Sequence, residues 1–250
     1  MLKSDRLNRI IDHVSSEGSA DVHQLAVLLG VSGATVRRDL RSLHEQGLLR
    51  RTHGGAVTAP SELPMRHRAG RQQAQKQRIA AAAAELVPDG AVVGMTGGTT
   101  VTEVARALAG RSGITVVTNA VNIAADLVVR PDLQLVVIGG NARSQSYELV
   151  GPVAERMLDE YHIDISFIGV DGLTTGGGCS THDQMEAHTD RAFLRNSTRT
   201  VVVADSTKIG KVTFAKICPL SEISAVVTDS AADEADTAAL RALGVRVHTA

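Results

Sequence analysis

The spacing of apolar residues changes character once along the chain. Over residues 1–60 it is helical and interrupted. Leu7, Ile10, Ile11 and Val14 recur at three- and four-residue intervals and stop at Gly18, which predicts a first helix of about three turns. Asp21 is placed to cap a short second helix whose Leu25, Leu28 and Leu29 face inward and which Gly30 ends. Ser32 caps a third, in which Val36, Leu40 and Leu43 form one stripe; Arg38, Arg41 and Glu45 then point away from the core, with Thr35 and Arg37 at the flanks. Gly47 closes that helix, and residues 48–51, a turn at Thr52-His53-Gly54-Gly55 and residues 56–58 predict a small hairpin. Three short helices and a two-stranded wing are the expectation.

Beyond residue 90 short apolar runs alternate with segments of period 3.6. The runs are residues 91–95, 114–118, 133–138, 165–168, 200–204, 225–228 and 245–247; the helical segments include 101–108, 121–129, 153–158, 186–194 and 236–243. Buried strands alternating with helices predict parallel βαβ units, so the fold class expected is α/β, with a doubly wound, mostly parallel sheet. Between the two regimes Pro60 and Pro64 mark a linker, and the basic, Gln-rich stretch 66–78 begins a connecting helix ending near Leu86. The division expected is therefore 1–58, a connecting part 59–78, and 79–250. A chain of 250 residues suits two domains at roughly 100–200 residues each.

Composition narrows the class. Hydrophobic residues at 43% and charged residues at 21% exclude a disordered, collagen-like or rod-like chain. Cys179 and Cys218 stand far apart with no CxxC pair, which excludes a disulfide-stapled fold and a four-thiolate zinc site and fits a reducing cytoplasm. No apolar run approaches the ~18 residues that span a bilayer, and the chain starts directly in a charged amphipathic segment, so neither a signal peptide nor a membrane partner is expected. Aromatic residues are 2%, too few for a surface that stacks single-stranded bases. The net charge of −1 conceals an asymmetry: residues 1–80 carry thirteen Lys or Arg against seven Asp or Glu, and the remainder carries net −7. A basic module on an acidic domain points to a polyanion at one end, where cations that neutralise phosphates release condensed counterions.

The third helix carries the matching chemistry. A helix entered through a tight turn, with hydroxyl and guanidinium groups near its start, fits and reads a major groove; Arg suits guanine O6 and N7, and Thr suits phosphate or a base edge. The candidates are Ser32, Thr35, Arg37, Arg38 and Arg41, with Arg50, Arg51 and His53 reaching phosphate from the wing. The arrangement Arg6…Ser32-x-x-Thr35-Val36-Arg37-Arg38-Asp39-Leu40, followed by Leu48-x-Arg50-Arg51-Thr52-His53-Gly54-Gly55-Ala56, resembles the DeoR-type winged helix-turn-helix regulators.

In the second domain the first strand ends in Thr96-Gly97-Gly98-Thr99-Thr100 and gives way to a helix. Glycines let backbone amides approach an anion, the helix start adds partial positive charge, and the Thr hydroxyls add donors, so a phosphate fits; a plain tight turn is the competing reading. No Lys follows the second glycine, so this is not a Walker A loop, and GxGxxG spacing is absent. Further polar clusters fall at the ends of other expected strands: Thr118-Asn119, Gly139-Gly140, Asp171-Gly172 and Asp205-Ser206-Thr207-Lys208. In an open α/β sheet such ends border the ligand crevice. The series from Gly97 through Gly151-Pro152, Asp171, Glu186-Ala187 and Lys208 is similar to the sugar-phosphate-sensing domain of DeoR-type regulators, a domain that itself resembles ribose-5-phosphate isomerase. The likeness implies that Gly97, Gly98, Thr99 and Thr100 hold the phosphate and that Asp171, Glu186 and Lys208 contact the sugar. It also implies the usual outcome, release from DNA when the effector binds.

Two other readings compete. An isomerase needs a carboxylate base and a cation on opposite sides of its enediolate. The isomerase-type Asp-Gly-Ala-Asp is here Asp171-Gly172-Leu173-Thr174, and the lysine-glycine run is Thr175-Gly176-Gly177-Gly178, so the second carboxylate and the lysine are missing. A plain structural DNA binder leaves the glycine-threonine loop without a use. His182, Asp183, Glu186 and His188 lie close together but lack HExxH spacing, so no metal and no cofactor is expected. The partners expected are a double-stranded operator, a sugar phosphate and further copies of the chain.

Overall fold

The computed structural model describes residues 1–58 and 63–250; Pro60 of the expected linker lies outside the described residues. The chain forms two compact units, Met1–His67 and Arg68–Ala250.

In the first unit, α1 (Lys3–Glu17), β1 (Ser19–Asp21), α2 (Val22–Leu29), α3 (Gly33–Glu45), β2 (Leu49–Arg51) and β3 (Gly55–Thr58) follow in order. The expected caps are in place. Asp21 accepts from the Gln24 amide at 2.8 Å while the Gln24 side chain accepts from the Asp21 amide at 3.2 Å, which satisfies two of the donors a helix start leaves open. The Ser32 hydroxyl accepts from the Thr35 amide at 3.3 Å. Ile10, Val14, Leu25, Val36, Leu40 and Leu43 meet in one core. Leu28, expected inward, is 42% exposed, because an eight-residue helix turns only the Leu25–Leu29 edge toward that core.

Two features of this unit arise from contacts between elements. β1 adds a third strand to the hairpin, pairing antiparallel with β3 through Ser19↔Val57, Ala20↔Ala56 and Asp21↔Gly55. That close pairing needs a glycine, since a Cβ at Gly55 would run into the carbonyl oxygen of Ala20. Asp39, turned inward and only 2% exposed, is met by Arg6 of α1 through a fork at 2.6 and 3.2 Å, which fastens α1 across α3.

Residues Met65–Arg68 make a single turn, α4, and the second unit continues with α5 (Gln73–Ala84), β4 (Val92–Met95), α6 (Thr99–Leu108), β5 (Thr115–Thr118), α7 (Val121–Leu127) and β6 (Gln134–Val137). A hairpin of β7 (Asn141–Arg143) and β8 (Glu148–Val150) precedes α8 (Pro152–Leu158) and β9 (Ile163–Gly169). Next come β10 (Gly172–Thr174), β11 (Gly178–Thr181), α9 (Gln184–Arg195), β12 (Ser197–Val203), β13 (Ala215–Cys218), β14 (Ala225–Thr228), α10 (Glu234–Ala242) and β15 (Arg246–Thr249).

All seven expected strands form one sheet in the order β15-β14-β12-β9-β4-β5-β6, and each neighbouring pair is parallel. One face is covered by Ile79 and Ala83 of α5, Val104 and Leu108 of α6 and Ile123 of α7; the other by Leu158 of α8, Phe193 of α9 and Leu240 of α10. The sheet is therefore doubly wound. Where one connecting helix was expected there are two, α4 and α5, broken at residues 69–72, with Gln72 at φ +50°. The β7–β8 hairpin and the antiparallel β10-β11-β13 sheet were not anticipated. Their strands are three or four residues long, too short for an alternating pattern to register.

The glycine pair in the wing gives a direct test. A Cβ at Gly54 meets open space, so Gly54→Ala should unfold like the parent. Gly55→Ala should lose about 1–3 kcal/mol or more, from overpacking against β1. Urea denaturation of both variants checks this, and equal losses would show that the β1–β3 approach is not what constrains the position.

Candidate functional site

On the first unit, burying Val36, Leu40 and Leu43 leaves Arg37, Arg38 and Arg41 exposed on the opposite side of α3. Ser32 is exposed and already engaged as the cap, with the hydroxyl of half-buried Thr35 at 3.0 Å from its own. Arg50 and Arg51 on β2 and His53 in the turn are exposed. Six basic groups and two hydroxyls thus stand on solvent-facing positions of one small unit, and the inward acid of the same helix, Asp39, is neutralised by Arg6.

In the second unit the chain leaves β4 for α6 on one face and leaves β9 for elements of the other, so these adjacent strands bound the point where the winding reverses. The two strand ends are stitched together. The Thr96 amide donates to the Phe167 carbonyl at 3.2 Å, and the Gly169 amide donates to the Thr96 hydroxyl at 3.1 Å. Gly98, at φ +99°, precedes α6 with no side chain to cap it, so the first-turn amides, including those of Thr99 and Thr100, have no intrahelical acceptor.

The other expected clusters divide. Thr118 serves the framework: its hydroxyl donates to the Met95 carbonyl at 2.8 Å and accepts from the Ala120 amide at 3.1 Å. Asn119 secures the β7–β8 hairpin, its Nδ2 donating at 3.1 Å to both Glu148 Oε2 and the Leu149 carbonyl; its Oδ1 is buried without a partner among the described residues. Glu148 in turn lies so close to Gly97 that a Cβ there would overlap its carboxylate. Gly139 and Gly140 serve the entry to the hairpin, where a Cβ on Gly140 would sit 2.9 Å from the backbone of Val150.

Asp171, Glu186 and Lys208 come together, joined by residues the sequence reading passed over. Asp171 Oδ1 accepts from Lys208 Nζ at 3.0 Å and from Arg68 Nη1 at 3.1 Å. Thr181 donates to Asp171 Oδ2 at 3.3 Å and to Glu186 Oε2 at 2.9 Å. Arg143 donates to Glu186 Oε1 at 2.7 Å and pairs with Asp183 at 3.2 Å. Burial alone would push the Asp171 carboxyl up, but Lys208 and then Arg68 outweigh it and bring it down to about 2. Asp183 and Glu186 are thus committed to Arg143, Thr181 and the start of α9, whose Met185 and Glu186 amides Asp183 caps. Arg68 was legible only as part of a basic stretch, and Arg143 and Thr181 sit on short strands no periodicity exposes. Cys179 and Cys218 are buried directly opposite each other on β11 and β13; the hydrogen bond to Cys218 and burial push the Cys179 thiol up, which keeps it protonated and inert.

Comparison with known proteins agrees with both halves. Residues 6–62 match the model of the DeoR-like helix-turn-helix domain, and residues 71–230 match that of the DeoR C-terminal sensor domain. The glycerol-3-phosphate regulon repressor of Escherichia coli K12 is 33% identical over 232 residues, covering 92% of each chain. The HTH-type transcriptional regulator GlpR of Haloferax volcanii is 34% identical over 251 residues, covering 99% of this chain and 98% of the relative. Among solved structures, ribose 5-phosphate isomerase A of Methanocaldococcus jannaschii aligns over 55% of this chain and 54% of its own at 25% identity, with a TM-score of 0.37.

Two buried acids of the second unit should titrate in opposite senses. Asp190, fully enclosed on α9, has one carboxylate oxygen without a partner among the described residues; burial, then Glu148 and Glu186, push its carboxyl well up. The folded chain then keeps a proton there that the unfolded chain releases above about pH 4, so this group removes stability as pH rises. Asp190→Asn should be more stable than the parent at pH 7.5, with the advantage vanishing toward pH 4. Asp171, held at about 2, contributes stability above pH 4 that is lost as pH falls toward 2, so Asp171→Asn should lose on the order of 2–3 kcal/mol at pH 7.5. Denaturation midpoints at pH 2.5, 4 and 7.5 decide both, and an Asp190→Asn variant less stable at pH 7.5 would contradict the assignment.

Proposed function

The chain belongs to the DeoR family of helix-turn-helix transcriptional regulators, and from that premise we propose how its two units divide the work of a repressor. Residues 1–58 read operator DNA, residues 59–78 connect, and residues 79–250 sense a phosphorylated sugar that releases the protein from a carbohydrate-metabolism operon. The observation that carries this reading is the pairing, in one chain, of an exposed arginine face on a capped helix with an anion-suited loop at the reversal point of a parallel sheet. Arg38 and its neighbours Thr35, Arg37 and Arg41 face base edges and phosphates in the major groove, with Ser32 at the helix start; Arg50, Arg51 and His53 take backbone phosphates.

The protein is a regulator and not an enzyme. The site is arranged for binding: two cations hold the Asp171 carboxyl down to about 2, which makes it a weak base, suited to hydrogen bonding to a polyol rather than to proton abstraction. The first-turn amides of α6 with Thr99 and Thr100 supply phosphate donors. Because Glu148 rests on Gly97, a phosphate entering there meets a carboxylate, and the β7–β8 hairpin has to shift to admit it. One unit of this size covers a single half-site, so the working form is a homo-oligomer reading repeated or palindromic sites in the cytoplasm.

Two measurements test the reading. Arg38→Ala should weaken specific operator binding by about 1–3 kcal/mol, as the loss of a bidentate base contact does. Arg51→Ala should weaken all DNA sequences alike and flatten the salt dependence. Parental operator affinity in Arg38→Ala removes that residue from the reading surface. For the sensing unit, operator affinity is followed by fluorescence anisotropy across titrations of phosphorylated sugars and their unphosphorylated counterparts. Only the phosphorylated forms should release DNA. Thr99→Val, which deletes one donor to a charged group worth about 1.5–3 kcal/mol, should shift the midpoint by roughly 10- to 150-fold. An unchanged midpoint makes the loop a structural turn.

A further inference from the structure

Arg68 ends the single turn α4, ten residues beyond the end of β3, and its guanidinium is drawn into the sensing site. On the same oxygen of Asp171 sits Lys208, and Thr181 occupies the other oxygen. Oδ1 thus already carries two donors, one for each lone pair, so a sugar hydroxyl that donates to it has to replace one of them. Thr181 lies in β11, paired on both sides by β10 and β13. Lys208 follows β12 and is held by the bond from the Gly210 amide to the Leu173 carbonyl at 2.9 Å. Arg68 belongs to no sheet. Its segment joins α5 through the break at residues 69–72, and it is tied down by Lys76, whose buried ammonium donates to the carbonyls of Arg68 at 3.2 Å and Arg71 at 2.6 Å.

Lys76 is 3% exposed, and its surroundings are cationic. Burial draws its ammonium down to about 8; Asp205 opposes that, while Lys208, Arg68 and Arg71 add to it. Lys76 thus fastens the same segment that Arg68 ties to Asp171.

We propose that Arg68 and Lys76 form a latch that fastens the segment leading from the DNA-reading unit to the sensing site, opened when a phosphorylated polyol takes Asp171 from Arg68. The latch rests on the reading of this site as a sugar-phosphate sensor. Arg68 is a positioning residue, acting through the segment it carries. Linkage then requires that opening the latch by mutation mimic the effector on DNA.

The experiment uses the full chain and has two arms. Hydrogen exchange is measured alone, with inorganic phosphate, and with glycerol 3-phosphate, ribose 5-phosphate, fructose 6-phosphate and glucose 6-phosphate. At least one ester should slow exchange at residues 97–100 and speed it at residues 63–72, whereas inorganic phosphate should do only the first. Without any ligand, Arg68→Ala should bind operator 5- to 150-fold more weakly and exchange rapidly at 63–72, with part of the affinity restored in Arg68→Lys. Arg68→Gln, which keeps the length without the charge, should match Arg68→Ala at a parental melting temperature, separating the latch from loss of fold. An ester that protects 97–100 without touching 63–72 overturns the proposal, as does parental operator affinity in Arg68→Ala and Arg68→Gln. If no ester protects 97–100, the sensor reading fails, and the ligand-free arm still decides the latch.

Discussion

In a parallel sheet wound outward in both directions, two adjacent strands send their chains to opposite faces, and the gap between the departing connections must be filled by side chains. Here that gap lies beyond β4 and β9. The Thr96–Phe167 and Gly169–Thr96 hydrogen bonds close its floor, and Asp171 is the first charge beyond it. A carboxylate buried there is tolerable only if cations come to it, because an unpaired charge in a low-dielectric interior costs several kcal/mol. Lys208 and Arg68 supply them, and Thr181 and Arg143 extend the network to Glu186. Arg68 and Arg143, from segments that share no sheet with Asp171, are thereby committed to the same place as it.

The elements that complete this site are the irregular ones. The β7–β8 hairpin delivers Arg143 to Glu186 and lays Glu148 over Gly97; the β10–β11 hairpin delivers Thr181. Each is a short antiparallel piece set on the carboxyl-terminal edge of a rigid parallel sheet. That division suits the proposed sensing role: framework strands fix the positions of the glycine-threonine loop and of Asp171, β11 is held between β10 and β13, and the two-stranded β7–β8 hairpin is the covering piece that would shift. Glu148 over Gly97 opposes an anion in the proposed phosphate loop, so on that proposal hairpin closure and phosphate occupancy compete.

The first unit solves a different problem. With fewer than seventy residues it has little core, and its stability leans on helix caps, on β1 closing the wing and on Arg6 across Asp39. The same apolar stripe that buries Val36, Leu40 and Leu43 leaves Arg37, Arg38 and Arg41 outward, so packing and the proposed reading of DNA use two faces of one helix.

Much of this was legible in the sequence. The seven strands, their alternation with helices, the caps at Asp21 and Ser32, the arginine face of α3 and the glycine-threonine loop before α6 are local properties, set by the period of apolar residues and by which residues tolerate a cap or turn. Motif resemblance added Asp171, Glu186 and Lys208. What tertiary structure alone decided is who meets whom: Arg6 with Asp39, Arg143 with Glu186, Glu148 with Gly97, and Arg68 with an aspartate 103 positions away. Hydrophobic periodicity reports the face an element presents to its own core. The partner of a buried charge depends on where two elements, distant in sequence, are brought together by the winding of the sheet.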